Sequence, residues 1–420
     1  MTGTGIETPP AANRSREPSP VIVLNMFYSG LGIARAMAGK GVRVVGLSAD
    51  PKVYGNFSRL CEVRRAPNSQ DEPEALARFL IHACDGLQGA VIFPTRDADV
   101  LFLDRFRVLL GSKYRLCIPP PECLKKAINK YELARLAQGA GVATPRTLEL
   151  NDSRDIPRVW REVGFPCVLK PVSAVQWRLA DAWQKVGARK AVRIESKQQL
   201  VDEYQILCLA SPRMLAQEWI EGATEQIVVL GGYADANSNL LAYFTARKIV
   251  QSPDDCGTGC IVRSEPLPQL VGLTERLLKA LRYRGMAEVE FKYDSASRTY
   301  KLIEINTRHW DQHELGVAGG VNLTWTAYCD FIGRTVPQTG SAVNATWIAE
   351  DALLMRVLRS TFRPELRIPN LPNKLSSGRR IYGIYARKDP LPALKYFALT
   401  LCPSILKAAF ARAVKGLRTA

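Results

Sequence analysis

No apolar run in the 420 residues approaches the roughly 18 to 20 needed to cross a bilayer as a helix. The 10 cysteines show no paired metal spacing: Cys256 and Cys260 form a C-x₃-C with no second pair to complete a tetrahedral site. No zinc finger, RNP-like aromatic motif, heptad or internal repeat is present, so the common nucleic-acid modules and solenoids are not indicated. The opening "MTGTGIETPPAANRSREPSP" lacks the apolar core of a secretory signal and reads as a disordered leader. The cysteines are therefore expected to be reduced thiols and the chain cytoplasmic. Acidic residues are scarce in one region only. From Asp351 to Ala420 there are 3 Asp and Glu against 14 Lys and Arg, so this segment carries +11 of the net +17. The rest is mildly basic and does not by itself call for a nucleic-acid partner.

The chain does have enough apolar residues (47%) for substantial cores, and its length implies two or three domains. "VIVLN", "MFYSGLGIARAMAGKG" and "VRVVGLS" read as strand, glycine turn, helix and strand, a βαβ unit and hence a parallel sheet. "AVIFPTRDADVLFL" repeats the pattern and puts Thr95, Arg96 and Asp97 at a strand's carboxyl end, where such sheets bind ligands. Gly30 and Gly32 fit equally a ligand loop or plain turn glycines. A full G-x-G-x-x-G is missing, which argues against a dinucleotide site.

"IPPPECLKKAINKYELARLAQGAGVATP" reads as a proline hinge and a helix closed by Gly139 and Gly141. "GFPCVLKPV" is a strand with Lys170 near its end, and a lysine in an apolar run needs an anionic partner. "RMLAQEWIEGATEQIVVLGG" reads as two strands joined by a turn at Gly222, and "LAYFTARKIVQSPDDCGTGCIVRSEP" as two strands around a polar, glycine-containing loop.

"MAEVEFKYDSASRTYKLIEINTR" reads as a β-hairpin. The spacing of two puts Glu304, Asn306 and Arg308 on one face and lets Glu290 approach Glu304 across the pair. Two carboxylates in a poorly solvated place repel, and a hard divalent cation with oxygen ligands relieves this. Arg308 has the fork of donors for a phosphate or acyl phosphate. A solvent-exposed polar face is the plainer reading, and the flanking apolar runs argue against it.

From Val21 to Arg334 these motifs, in this order, resemble the ATP-grasp ligases. The resemblance implies an α/β chain: an N-terminal Rossmann-like domain, an ATP-grasp domain and a basic, partly helical C-terminal extension. It implies ATP and Mg²⁺ (two ions, with Mn²⁺ an alternative), with Glu290, Glu304 and Asn306 as metal ligands and Arg308 facing the transferred phosphate. Lys130 and Lys170 would meet the polyphosphate. Glu218, Trp219 and Ile220 would offer backbone groups to adenine, and Glu225 would suit the ribose hydroxyls. "TARKIVQSPDDCGTGCIVRSEP" is similar to the D-aspartate ligase-like carboxylate–amine ligases. By that similarity Lys248 would act in catalysis, and Arg247, Arg263, Gly257 and Gly259 would bind substrate carboxylates and the acyl phosphate. The expected reaction joins a small carboxylate to an amine with release of ADP and phosphate; dimers are frequent in the resembled family, and the sequence leaves monomer and homodimer both open. The stretch after Lys170 departs from the family's glycine-rich lid, and Lys190 could supply the missing charge. His309 and His313 flank the site and are expected to pack or to contact substrate.

The boundaries read as a leader to 20, a Rossmann-like domain over 21–122, an ATP-grasp domain over 123–335 with its halves meeting near 215, and the extension over 336–420. Two rivals remain at this level: a non-catalytic nucleotide-binding regulator, and a nucleic-acid binder acting through the basic tail. From Leu391 the tail has helical apolar spacing interrupted at Pro403, with no acidic residue after Asp389. Such a segment either packs on the body or lies on an anionic membrane surface.

Overall fold

The computed structural model describes residues 18–401 apart from 174–176, 178–179, 188, 255–256, 337–343, 362 and 376–377. Residues 1–17 of the segment read as a leader to 20, Cys256 and the tail beyond residue 401 lie outside the described residues. The Ser19 and Pro20 carbonyls accept from Tyr328 Oη and the Val91 amide, which ties the end of that segment to the body.

Three sheets organise the described residues. The first is parallel throughout, in the order β3-β2-β1-β4-β5, from β1 (Val21–Leu24), β2 (Val44–Ser48), β3 (Glu62–Arg65), β4 (Val91–Phe93) and β5 (Arg115–Leu116). β1 and β4 are buried along their whole length, as their unbroken apolar runs require of central parallel strands. The order reverses between β1 and β4, so the carboxyl ends there open a crevice. Gly30 and Gly32 lie inside helix Tyr28–Met37, not in a loop. A Cβ on Gly30 would stand 2.0 Å from the Asn25 carbonyl oxygen, and one on Gly32 would stand 2.6 Å from His313 Nε2. Both glycines serve close packing of this helix.

The second sheet, β6-β9-β7-β8, is antiparallel and is built from β6 (Thr147–Leu150), β7 (Cys167–Pro171), β8 (Val192–Ile194) and β9 (Met214–Glu218). The third, β14-β13-β10-β11-β12-β15-β16, comprises β10 (Ile227–Ala234), β11 (Leu240–Ser252), β12 (Thr258–Ser264), β13 (Gly285–Asp294), β14 (Thr299–Asn306), β15 (Ala345–Ile348) and β16 (Arg379–Tyr382). β9 and β10, which read as neighbours around Gly222, belong to different sheets, and residues 219–226 carry the chain across. The segment read as an extension from 336 contributes β15, antiparallel to β12, and β16, parallel to β15.

The stretch read as one helix after the prolines is two, Pro121–Ile128 and Lys130–Gly139. Asn129 divides them: its side-chain oxygen accepts from the amides of Tyr131 and Glu132, capping the second helix. Lys130 thereby stands at a helix start.

A buried ionic cluster joins the first sheet to the C-terminal segment. Arg35 lies 3.5 Å from Glu314 and 3.7 Å from Asp389, and it donates to the carbonyls of Gly383 and Ile384. Burial, partly opposed by Arg35, pushes Glu314 up to about 7. A carboxyl raised above its unfolded value costs nothing while it is protonated in both states, and stability falls as pH rises from about 4.5 to about 7. Glu314→Gln should therefore flatten the decline of melting temperature between pH 5 and 7, measured by calorimetry. A slope equal to that of wild type would show that Glu314 is not its source.

Candidate functional site

β13 and β14 pair in the register that sets Glu290 against Glu304 and Glu288 against Asn306. With a side-chain period of two, all four project to one face. A register irregularity after Glu290 leaves Ile303 outside the regular pairing. That face forms one wall of a cavity of about 590 Å³, within the range of small-molecule sites. The opposite wall comes from the second sheet, through Val168 and Lys170 of β7 and Gln217 of β9, and Thr95 and Arg96 reach the cavity from the first sheet.

Every carboxylate on the hairpin face has a basic or amide partner. Lys130 Nζ donates to Glu304 Oε2 at 2.5 Å, and Lys248 of β11 pairs with Glu290. The Asn306 amide donates to Glu288 Oε2 at 2.9 Å. Arg308 Nε donates to Asp97 at 2.7 Å while its Nη2 reaches Asn306 Oδ1 at 3.3 Å. Lys170, 8% exposed, donates to Gln217 Oε1 at 2.6 Å.

The titrations follow from this crowding. Lys130 outweighs burial and holds Glu304 far below the ordinary carboxylate range. Burial, opposed by Lys248 and reinforced by Glu290, pushes Glu288 up to about 8. Burial acts to lower Lys248, but Glu290 and Glu288 outweigh it and keep the ammonium charged. Burial likewise works against Arg308, and Asp97 more than compensates.

At the other end, Glu218, Trp219 and Ile220 line the cavity on the crossing between sheets. Arg193 and Lys292 each lie over the Trp219 ring, at 4.6 and 5.2 Å from its centre. Lys292 donates to the carbonyls of Ile220 and Gly222, which fixes the crossing.

Most residues singled out from the sequence thus meet in one place: Lys130, Lys170, Lys248, Glu290, Glu304, Asn306 and Arg308, with Gly257 and Gly259 in the same wall. Lys190 also lines the cavity and donates to Thr258 Oγ1 at 2.8 Å. Three are placed elsewhere. Arg247 grips Glu265 with two bonds of 2.6 and 2.7 Å, Arg263 donates to the Lys374 carbonyl at 2.9 Å, and the Glu225 carboxylate pairs with Lys374. The reason is strand alternation: Arg247 and Arg263 oppose each other across β11 and β12, so with Lys248 facing the cavity they face away. His309 and His313 are fully buried and do not line the cavity; burial pushes His313 down to about 4 and His309 well below its usual value.

Sequence reading passed over Glu288 and Gln217 as site residues. Glu288 was legible as the same-face neighbour of Glu290. Gln217 was not, because its partner Lys170 lies 47 residues away on another strand.

No protein-family profile matches the chain. Among curated proteins it is 26% identical over 189 residues to D-alanine–D-alanine ligase B of Pseudomonas putida, covering 43% of this chain and 54% of that one. It is 22% identical over 292 residues to D-aspartate ligase of Enterococcus faecium, covering 67% and 63%. Its fold matches the biotin carboxylase domain of the Hydrogenobacter thermophilus 2-oxoglutarate carboxylase with a TM-score of 0.62 at 17% identity, over 77% of this chain and 72% of that one. The chain has the ATP-grasp fold. The chain spans about half the length of the curated D-alanine–D-alanine ligases it matches. No helix among its described residues is long and apolar enough to cross a membrane.

Proposed function

We propose that the protein is an ATP-dependent carboxylate–amine ligase. The observation that carries this reading is the cross-strand pair Glu290 and Glu304, with Asn306 beside them, facing Lys130, Lys170, Lys248 and Arg308 in one cavity. The relatives named for joining D-alanine or D-aspartate, and the neighbour solved with MgADP, support it. They favour neither the regulator nor the nucleic-acid reading.

The donor set fits a magnesium ion. Among the described residues no three His, Cys, Asp or Glu gather into a metal cage. What the hairpin offers is two carboxylates and a carboxamide, all hard oxygen donors, leaving further positions for phosphate oxygens and water. Lys130 and Lys248 now neutralise those carboxylates. Bound magnesium would supply the positive charge that draws electron density from the phosphate oxygens.

In the proposed reaction, a substrate carboxylate oxygen attacks the γ-phosphorus, the bond to the β-phosphate oxygen breaks, and ADP leaves. The amine nitrogen then attacks the acyl carbon, the bond from that carbon to the phosphate oxygen breaks, and phosphate departs. The chain's own part is alignment and charge. Lys170, already extended by Gln217, meets the polyphosphate; Arg308, braced by Asp97, offers donors to the transferred phosphate; Lys248 stands where the acyl phosphate forms. Glu225, Arg247 and Arg263, bonded away from the cavity, take no direct part in this reaction.

The deciding experiment screens amino acids and amines for ADP release and identifies the product by mass spectrometry. Carboxylate-dependent ADP release with a new amide is expected. Nucleotide binding without release across the screen would overturn the reading.

We also propose a cytoplasmic location with peripheral contact to an anionic membrane through the tail. Leu394, Phe397 and Leu399 are 61, 56 and 46% exposed although Tyr396 packs edge-on against Tyr54. The basic sequence after residue 401 continues this segment. Co-sedimentation with anionic vesicles at low salt should occur and disappear on deleting residues 391–420; no binding by the intact chain would end the idea.

A further inference from the structure

The ligase reading uses one face of β11 and β12 and leaves unexplained a set of contacts behind them, made by the helix and turn that follow β15. Arg356, on helix Glu350–Ser360, is buried with its side chain 8% exposed, a costly position for a guanidinium unless its donors are satisfied. Its Nε donates to the Leu366 carbonyl at 3.0 Å and its Nη1 to the Gln251 carbonyl at 2.8 Å. Its Nη2 donates to Asp254 Oδ2 at 3.0 Å, and Asp254 Oδ1 lies 2.7 Å from Nη1. Gln251 in turn donates through its side chain to the Asp254 carbonyl. Both line the cavity, Gln251 on the strand that carries Lys248 and Asp254 two residues beyond that strand's end.

A second contact runs in parallel. Lys374, on helix Leu371–Leu375, pairs with Glu225 and donates to the Ile249 carbonyl at 3.4 Å, while its own carbonyl takes the Arg263 guanidinium. Arg263 and Glu225 thus belong to a layer behind the cavity wall.

We infer that helices Glu350–Ser360 and Leu371–Leu375 brace the cavity from behind, with Arg356 the positioning residue that sets Gln251 and Asp254 beside Lys248. Arg356 touches neither the cavity nor any group placed in the reaction; it acts through the end of β11. A single planar fork bonded to a backbone carbonyl and a carboxylate on the same short stretch fixes both position and rotation of that stretch. A lysine could hold one of the two. Displacements of about 1 Å at such a wall are enough to change function by up to ~100-fold.

The test uses the full chain with Arg356→Met and Arg356→Lys, read by amide hydrogen exchange and by calorimetric titration with MgATP. Arg356→Met should speed exchange at least ~10-fold at residues 248–254, with residues 21–48 unchanged. It should weaken MgATP about 10-fold, with Arg356→Lys intermediate in both. Asp254→Asn should add little to Arg356→Met, since the pair is already broken. Unchanged exchange at 248–254, faster exchange everywhere, or local loosening without loss of MgATP affinity would each overturn the inference. The nucleotide arm rests on the ligase reading. A wild-type chain that binds no MgATP would refute that reading, and the exchange data alone would then decide whether Arg356 holds this wall.

Discussion

Glu304→Gln is expected to give a folded protein whose ADP-forming turnover is at least ~100-fold below wild type. The substitution keeps shape and removes one charge from the middle of the hairpin face, directly across from Glu290. Because Lys130 holds Glu304 well below the ordinary carboxylate range, that charge is present at any working pH. Its loss acts twice: the proposed cation loses an anionic ligand, and the Lys130 ammonium, only 14% exposed, loses its partner. Steady-state ADP release on the substrate pair found in the screen checks this, with circular dichroism confirming the fold. Turnover within a few-fold of wild type would remove the hairpin from the chemistry.

Lys170→Met is expected to weaken MgATP at least ~10-fold by calorimetry, the scale of one charge-assisted bond to phosphate. Lys170 is poised for this. It leaves a buried strand, and Gln217, itself donating to Thr147 Oγ1 at 2.8 Å, holds its ammonium in one direction. Methionine keeps the apolar stem and deletes the charge, so the effect should appear in nucleotide affinity before it appears in stability. Lys130→Met should lose less affinity, since Lys130 is already committed to Glu304. Unchanged MgATP affinity in Lys170→Met would remove this lysine from the nucleotide site.

Much of the site was legible because it is written at short range. The hairpin register follows from alternation on two adjacent strands, and Glu290, Glu304, Asn306 and Arg308 needed no distant information. Lys170 was legible as a charge inside an apolar run. The parallel strands β1, β2 and β4 were legible as unbroken apolar stretches around a helix of the right length.

What failed was whatever depended on which elements share a face or a sheet. Arg247 and Lys248 are neighbours in sequence, and only the sheet decides that one faces the cavity and the other Glu265. The crossing after Glu218 looks like a turn because a turn and a passage between two sheets use the same residues locally. Asn129 divides a helix by competing for two amides, which periodicity does not register. The sequence by itself determined the chemistry on offer, since residue types and a period of two are local properties of the chain. The tertiary structure alone decided which of those groups meet, because Lys130 reaches Glu304 and Arg356 reaches Asp254 across 174 and 102 residues. Burial and pairing at that distance depend on how whole sheets pack.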